Sequence, residues 1–380
     1  LLSVAELLAM SLWFSTSAVV PELEEAWSLS GGTAAWLTMS VQLGFVAGAV
    51  LSAALTLSDL WNPRHLFCGS ALAGAAATAG IAAFADGPEL AIPLRFLTGM
   101  ALAGVYPPGM KVVAGWFRRR RGLAIGVLVG ALTVGTAAPH LLRVLGGIGA
   151  WRPVLWLAAA LTVVGGVLVL AVEDGPHQPP AASFDPSAVG RILRDRATML
   201  ANAGYFGHMW ELYAVWTWIP LWLTAGFAAD ASAVTGPVAA GLVAFGTIAV
   251  GGIGAWAAGA AADRLGRTRI TSASMIVSGG CCLAAGPLFG ASPWVVIPFC
   301  LAWGFAIVAD SAQFSAAVTE LAEPRYVGTA LTLQTAVGFL LTVASIRLVP
   351  VWQQAWGWSW AFAPLAAGPA LGTAAMQLLR

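Results

Sequence analysis

The chain has 380 residues, 59% of them hydrophobic and only 9% charged, with a formal net charge of +1 and a mean hydropathy of +0.82. Soluble globular domains carry about 25% charged residues, so water is not the main solvent of this chain, and its few basic residues, confined largely to short loops, exclude a nucleic-acid surface. Apolar runs of roughly 20 residues suit helices that cross a ~30 Å hydrocarbon core, whereas a barrel would show alternating segments of about 10 residues. The class this implies is an all-α membrane protein.

Gly, Pro and charged breaks between the apolar runs predict spans at 1–20, 33–57, 66–85, 90–116, 122–145 and 151–172. The first run starts without a polar lead, so its helix is expected to be trimmed, and no cleavable signal peptide is visible. Glu173–Arg196, with Pro176, Pro179, Pro180 and Pro186, reads as a polar linker whose second part, Ser187–Arg196, suits a short surface helix. Six more spans follow at 199–226, 236–261, 270–289, 294–319, 328–350 and 358–379. The expected organisation is an N-terminal six-helix bundle (1–172), a linker (173–198) and a C-terminal six-helix bundle (199–380).

Arg64, Arg118–Arg121, Arg191, Arg194, Arg196, Arg264, Arg267, Arg269, Arg325 and Arg380 fall on one side of these twelve spans. Glu22, Glu24, Glu25, Asp86, Glu89 and Asp230 fall on the other, where several tryptophans gather as an aromatic belt. Positively charged loops stay inside, so both termini and the linker are expected in the cytoplasm of a plasma membrane, the inner membrane of a bacterium. Cys68, Cys281, Cys282 and Cys300 lie in apolar runs without ligand spacing and read as buried thiols, so neither a disulfide framework, a metal nor a cofactor is expected.

The two halves are copies. Glu6-Leu7-Leu8-Ala9 with Trp13 behind it recurs as Glu211-Leu212-Tyr213-Ala214 with Trp218, and 211 − 6 and 218 − 13 both give 205. Each acid sits in a long apolar run, ~22 Å from the outer end of its helix at 1.5 Å per residue. Ionisable groups at such depth are functional candidates by default, and paired repeats with a shared midplane site are the pattern of a secondary transporter.

The loop motifs sharpen that reading. Gly259-Ala-Ala-Ala-Asp263-Arg264-Leu265-Gly266-Arg267-Thr268-Arg269 resembles the G-x-x-x-D-R-x-G-R-[RK] loop of the major facilitator superfamily, departing at Thr268. Asp59 followed by Arg64 is a worn first copy, and Arg95-Phe-Leu-Thr-Gly99 resembles the R-x-x-x-G motif of the fourth helix. Arg121-Gly122-Leu123-Ala124 and Val327-Gly328-Thr329-Ala330 open the fifth and eleventh spans, 328 − 122 = 206 residues apart. Gly126, Gly130, Gly135 and Pro139 resemble the superfamily's antiporter motif, but its adjacent Gly-Pro is missing, so export does not follow. The resemblance implies twelve helices in two pseudo-symmetric six-helix bundles, with spans 1, 4, 7 and 10 lining a central cavity.

It also implies roles for particular residues. Asp263 would meet the positive end of the fifth helix near Gly122 when the cytoplasmic side closes, with Gly259, Arg264 and Arg267 in the same gate. Asp59 would do the same at the start of the eleventh near Gly328. Glu211, Glu6, Asp310 and His208 are candidates for proton coupling: His208 precedes Glu211 by three, and Asp310 and Gln313 repeat that spacing in span ten. Arg95, Lys111 (the only lysine), Gln313, Tyr213, Trp210 and Tyr106 are candidates for contact with substrate, with Trp13, Phe14 and Tyr205 as further aromatic walls. A static role, bracing helices or snorkelling to the interface, stands beside each of these.

The function expected is secondary active transport of a small organic solute by alternating access, coupled to protons and in the uptake direction. The protein is expected to act as a monomer in the lipid bilayer, partnered only by its solute and protons. Proton-antiport efflux of drugs or metabolites is the rival, and a transporter-like receptor or assembly factor the reading outside transport. An enzyme is not expected, because no HExxH, GxSxG or Walker loop occurs.

Overall fold

The first predicted span is not one helix. In the computed structural model, which describes residues 1–55, 57, 61–117, 121–173, 175–176, 188–228, 236–323 and 326–380, α1 (Leu2–Met10) ends inside the apolar run. Residues 11–16 form irregular turns, a single 3-10 turn follows at Ser17–Val19, and α2 (Val20–Trp27) completes the crossing. Pro21 therefore starts a helix where the sequence suggested an end; its missing N–H costs nothing in a first turn.

The next spans are α3 (Gly31–Ala54) and α4 (Pro63–Phe84). The Ser30 hydroxyl caps α3 by accepting the Thr33 N–H at 3.2 Å, and Asn62 caps α4 by accepting the Arg64 N–H at 2.9 Å. The fourth span is broken into α5 (Pro88–Leu102) and α6 (Tyr106–Trp116), and α7 (Arg121–Leu145) and α8 (Trp151–Leu168) complete the first half. Pro107 and Pro108 sit in the first turn of α6, so the chain unwinds just before them at Ala103–Val105. The predicted surface helix is the short α9 (Val189–Ile192).

The second half holds α10 (Arg196–Ala228), α11 (Pro237–Leu265), α12 (Arg267–Ala284), α13 (Pro293–Ala309), α14 (Ser311–Leu321), α15 (Val327–Trp356) and α16 (Ala367–Leu379), the last preceded by a 3-10 turn at Ala363–Ala366. Eight of the spans are long and apolar enough to cross a membrane on composition alone, counting α5 with α6 and α13 with α14. The first, seventh, ninth and twelfth spans bring the bundle to twelve, and no strand occurs among the described residues. Asp59, Arg118–Arg120, Asp230 and Arg325 lie outside the described residues.

The duplication is visible in the breaks. The fourth span unwinds at Val105 and the tenth at Asp310, and 310 − 105 is again 205. It is visible in packing too. Gly99 of α5 lies against the Val41 carbonyl of α3, and Gly304 of α13 lies against the Thr247 carbonyl of α11, with 304 − 99 = 205. A methyl group at either glycine would collide with that carbonyl, so the paired helices touch backbone to backbone. The halves meet along two seams, α7 with α11 and α3 with α15. We call the end bearing Arg64, Arg264, Arg267 and Arg269 the basic end, and the end bearing Glu22, Glu24 and Glu25 the acidic end.

Gly304→Ala should lower the thermal midpoint of the purified protein, because overpacking a fitted contact costs about 1–3 kcal/mol. A melting curve that superposes on the parent would show that the helices can part there freely.

Candidate functional site

The two duplicated acids have different surroundings. Glu211, buried in α10, accepts three hydrogen bonds: from the Trp303 indole Nε1 at 2.9 Å, the Ser278 hydroxyl at 2.8 Å and the Cys282 thiol at 3.2 Å. All three donors come from α12 and α13 of its own half. Glu6 is fully buried in α1, yet neither of its carboxylate oxygens has a hydrogen-bond partner among the described residues. It lies against α6, where a Cβ on Gly109 would sit 2.7 Å from Glu6 Oε2. Tyr106 is three residues before Gly109 and shares that face of α6. Glycine at 109 is therefore the space the Glu6 carboxyl occupies.

His208 does not pair with Glu211, its neighbour on α10. Its Nδ1 lies 2.9 Å from Asp310 Oδ1, and its Nε2 is 2.9 Å from the Ser311 hydroxyl. Both rings of contact sit at the break between α13 and α14, where unwinding turns Asp310 toward α10. Gln313 is not in this group either, because its Oε1 accepts from Arg267 Nη1 at 2.7 Å. The two i, i+3 pairs of the sequence thus divide into three separate sets, Glu211, His208 with Asp310, and Gln313 with Arg267.

Arg95 is fully buried and serves the broken first span. Its guanidinium donates to the carbonyls of Leu12 at 2.8 Å, Trp13, and Leu37 at 3.2 Å, and to the Ser15 hydroxyl at 3.2 Å. In residues 11–16 the regular ladder gives way to turns such as the Ser15 N–H to the Leu12 carbonyl at 3.3 Å, and a guanidinium with five donors can serve several carbonyls of such a segment at once. Ser11 and Thr162 add further bonds around the same break.

The segment that Arg95 clamps carries Trp13 and Phe14 to the boundary between the halves. Trp13 meets Phe45 at 5.0 Å, Tyr213 at 5.6 Å and Phe339 at 5.6 Å between ring centroids, and Phe14 meets Tyr213 and Trp216 at 6.1 and 6.0 Å. Phe45 and Phe339 close the layer at 4.6 Å. Tyr213 is thus in the interface, as expected of a residue on span seven, and Tyr205 packs beside His208 and Phe314. Trp210 instead faces Trp352 and the last span, near Gly368. Lys111 is half-buried on α6, two residues beyond Gly109.

The family model of the Major Facilitator Superfamily matches residues 2–346. The chain belongs to this superfamily. Over 221 residues it is 32% identical to monocarboxylate transporter 11 of Homo sapiens, covering 52% of this chain and 44% of that protein. It is 25% identical over 216 residues to the uncharacterized transporter YgaY of Escherichia coli O157:H7, covering 52% of each. The chain thus spans about half the length of these curated relatives. It is 24% identical over 327 residues to the MFS transporter asaE of Aspergillus flavus, covering 83% of this chain and 70% of that one. A crystal structure of a point mutant of the nucleoside transporter NupG superposes with a TM-score of 0.74 at 15% identity, over 100% of this chain and 98% of that one, which shows a shared fold.

The superfamily loop between α11 and α12 turns on Gly266, whose φ of 91° is open to glycine and strained for other residues. Gly259 is buried in α11, while Asp263 and Arg264 are exposed at its end. Arg267 forms a forked ion pair with Glu320 of α14, at 2.6–3.1 Å, besides its bond to Gln313. The antiparallel seam, with Gly126 against Trp256 and Gly130 against Gly252, runs Asp263 toward the start of α7, where residues 118–120 lie outside the described set.

Several polar residues of the site carried no signal in the sequence. Ser278, Cys282 and Trp303 are unremarkable residues of apolar runs until Glu211 is placed between them. Gln334 donates to Asn202 at 3.0 Å and accepts from Ser315 at 3.2 Å, tying α10, α14 and α15 together. Arg143 pairs with Glu22 at 2.8 Å in a nearly buried contact that joins α2 to α7 at the acidic end. The apolar setting of Arg143 was the available clue.

Arg95→Lys should destabilise the protein almost as much as Arg95→Met, because one ammonium cannot reach three carbonyls on two segments, and each buried acceptor left unpaired costs about 1–3 kcal/mol. Thermal melting of both variants measures this; a Lys variant as stable as the parent would show that charge alone suffices. A double-mutant cycle on stability should couple His208→Gln to Asp310→Asn by more than about 0.5 kcal/mol. Glu211→Gln and Asp310→Asn, which share no partner, should add within ~0.3–0.5 kcal/mol.

Proposed function

We propose that this superfamily member is a proton-coupled secondary transporter of a small organic solute, taking it up by alternating access, with Glu6 as the acid that carries the coupling proton. The observation that supports this most directly is the contrast between the two copies of the acid. An ionised carboxylate without a donor is costly to bury, so the Glu6 position calls for a proton or a cation. Glu211 has three donors and is held as part of the C-terminal half. His208 and Asp310, at the break of the tenth span, are the second group suited to exchanging a proton, since they face each other at 2.9 Å.

In this reading 1–172 and 199–380 are the two bodies that rock, joined by the linker. The aromatic layer of Trp13, Phe45, Tyr213 and Phe339 holds the halves together in the state described. Asp263 acts on the other side of the membrane plane, latching the basic end against α7 with the ~0.3–1 kcal/mol of a helix-dipole contact. The basic end and both termini face the cytoplasm, in the plasma membrane of the cell, and the chain works as a monomer.

Dicyclohexylcarbodiimide, which modifies protonated carboxyls in apolar surroundings, should label Glu6 and lose that label in Glu6→Gln. In proteoliposomes with an imposed pH gradient, Glu6→Gln should abolish uphill accumulation of a solute found by thermal-shift screening and keep exchange without a gradient. Glu211→Gln should retain part of the accumulation. Accumulation by Glu6→Gln at the parental rate would remove Glu6 from the mechanism, and accumulation driven by the opposite gradient would make the protein an exporter.

A further inference from the structure

The aromatic layer between the halves contains polar atoms that the packed state leaves without partners. The indole Nε1 of Trp13 and of Trp216 and both amide atoms of Gln42 are buried and unbonded. These three side chains are at most 2% exposed. Gln42 belongs to the same layer. Four residues before it on α3, Thr38 bonds Ser17 of the first span at 2.5 Å, and three residues after it, Phe45 packs on Trp13 and Phe339. Gln42 therefore lies on the face of α3 that meets the first span and α15.

Buried amides and indoles almost always have partners in native structures, and burying them without one is penalised. Trp218 follows that rule by donating to the Ile346 carbonyl at 3.0 Å, and Trp303 by donating to Glu211, whereas Trp210 and Trp222, packed inside the second half, are as unpartnered as Trp13 and Trp216. Trp13, Trp216 and Gln42 differ from Trp210 and Trp222 in lying where the two halves press together, the surface that alternating access requires to part. We propose that, when the halves separate, this layer is the recognition site for an uncharged, planar solute bearing adjacent hydrogen-bond donor and acceptor groups, such as a carboxamide or lactam on an aromatic ring. The rings of Tyr213, Phe45 and Phe339 supply flat walls for stacking. The Gln42 amide offers one donor face and one acceptor, the complement of an amide edge, and the two indoles add donors.

The charges around the layer agree with a neutral ligand. Arg95, which reaches the Trp13 carbonyl, spends its guanidinium on Leu12, Trp13, Ser15 and Leu37. Glu6 is seven residues before Trp13, on α1 ahead of the break that carries Trp13 and Phe14. The acid is placed for coupling and the uncharged layer for recognition. This inference rests on the reading that the protein is a transporter whose halves part here, and it deepens that reading by naming the solute class.

The test is a calorimetric titration of the purified protein in nanodiscs with three probes that share one ring system: 2-naphthamide, 2-naphthoate and 2-naphthylmethylammonium. The expected result is that 2-naphthamide binds at least tenfold more tightly than either ion. Gln42→Leu and Trp13→Phe, which keeps a ring but removes the N–H, should each weaken it by about tenfold, the loss of a hydrogen bond of roughly 1.4 kcal/mol. Preference for the ammonium or the carboxylate, equal binding of all three, or no binding would overturn the proposal, and this ranking uses the parent protein, so it does not depend on the variants folding. Unchanged affinity in both variants would overturn it as well. Proton-driven flux in Glu6→Gln proteoliposomes is measured separately: the parent's preference for 2-naphthamide together with flux loss in that variant upholds both readings, the preference with parental flux in the variant sinks only the coupling role of Glu6, and a lost preference with flux loss in the variant sinks this inference alone.

Discussion

A carboxylate taken into the hydrocarbon thickness of a membrane must receive hydrogen bonds, a proton or a cation, because no water is at hand to solvate it. This chain faces that constraint twice, since duplication placed Glu6 and Glu211 at the same depth of matching helices. The two copies have met it differently. Around Glu211 the second half supplies a hydroxyl, a thiol and an indole, and the acid becomes a bolt between α10, α12 and α13. Around Glu6 the first half supplies the space left by Gly109 and no donor. One duplicated feature has thus become two physical objects, one bonded to neighbouring helices and one left without a donor among the described residues.

Helix breaks make the rest possible. An unbroken helix satisfies its own carbonyls and turns every side chain by 100° per residue, which fixes which faces are available. The turns at residues 11–16 bring Trp13 and Phe14 together against the opposite half, and the break before Ser311 turns Asp310 toward His208. Each break exposes backbone acceptors that need partners. Arg95 answers for the first span, so a buried cation is consumed in holding a loop of backbone in shape. The rings of that loop face the other half.

Rigidity inside each half and separability between halves come from different contacts. Within a half, Gly99 and Gly304 allow carbonyls to touch the neighbouring backbone, contacts that leave no room for sliding. Between halves, Phe45 of α3 and Phe339 of α15 meet as tilted rings with Trp13 against both, and no buried ion pair crosses that seam among the described residues. Dispersion and apolar burial are non-directional, so such a surface can part and re-form without a register of ion pairs to restore.

Composition and hydrophobic run length already determine that this is a helical membrane protein, because the bilayer leaves few alternatives to a helix of about 20 apolar residues. The repeat at 205 residues and the Asp263–Arg269 loop are also legible, since they depend on residue identity at fixed spacing. The depth of Glu6, Glu211 and Asp310 can be counted along a helix. Which atoms meet them cannot. Ser278, Cys282 and Trp303 converge on Glu211 from two other helices, 67, 71 and 92 residues away in the chain. Arg95 looks like a ligand for an anion until the unwound carbonyls of Leu12 and Trp13 are seen around it. Periodicity predicts the face a residue occupies on a regular helix, and these sites sit where helices stop being regular or where separate helices cross, so only the tertiary structure decides whether a buried polar group is satisfied or left open.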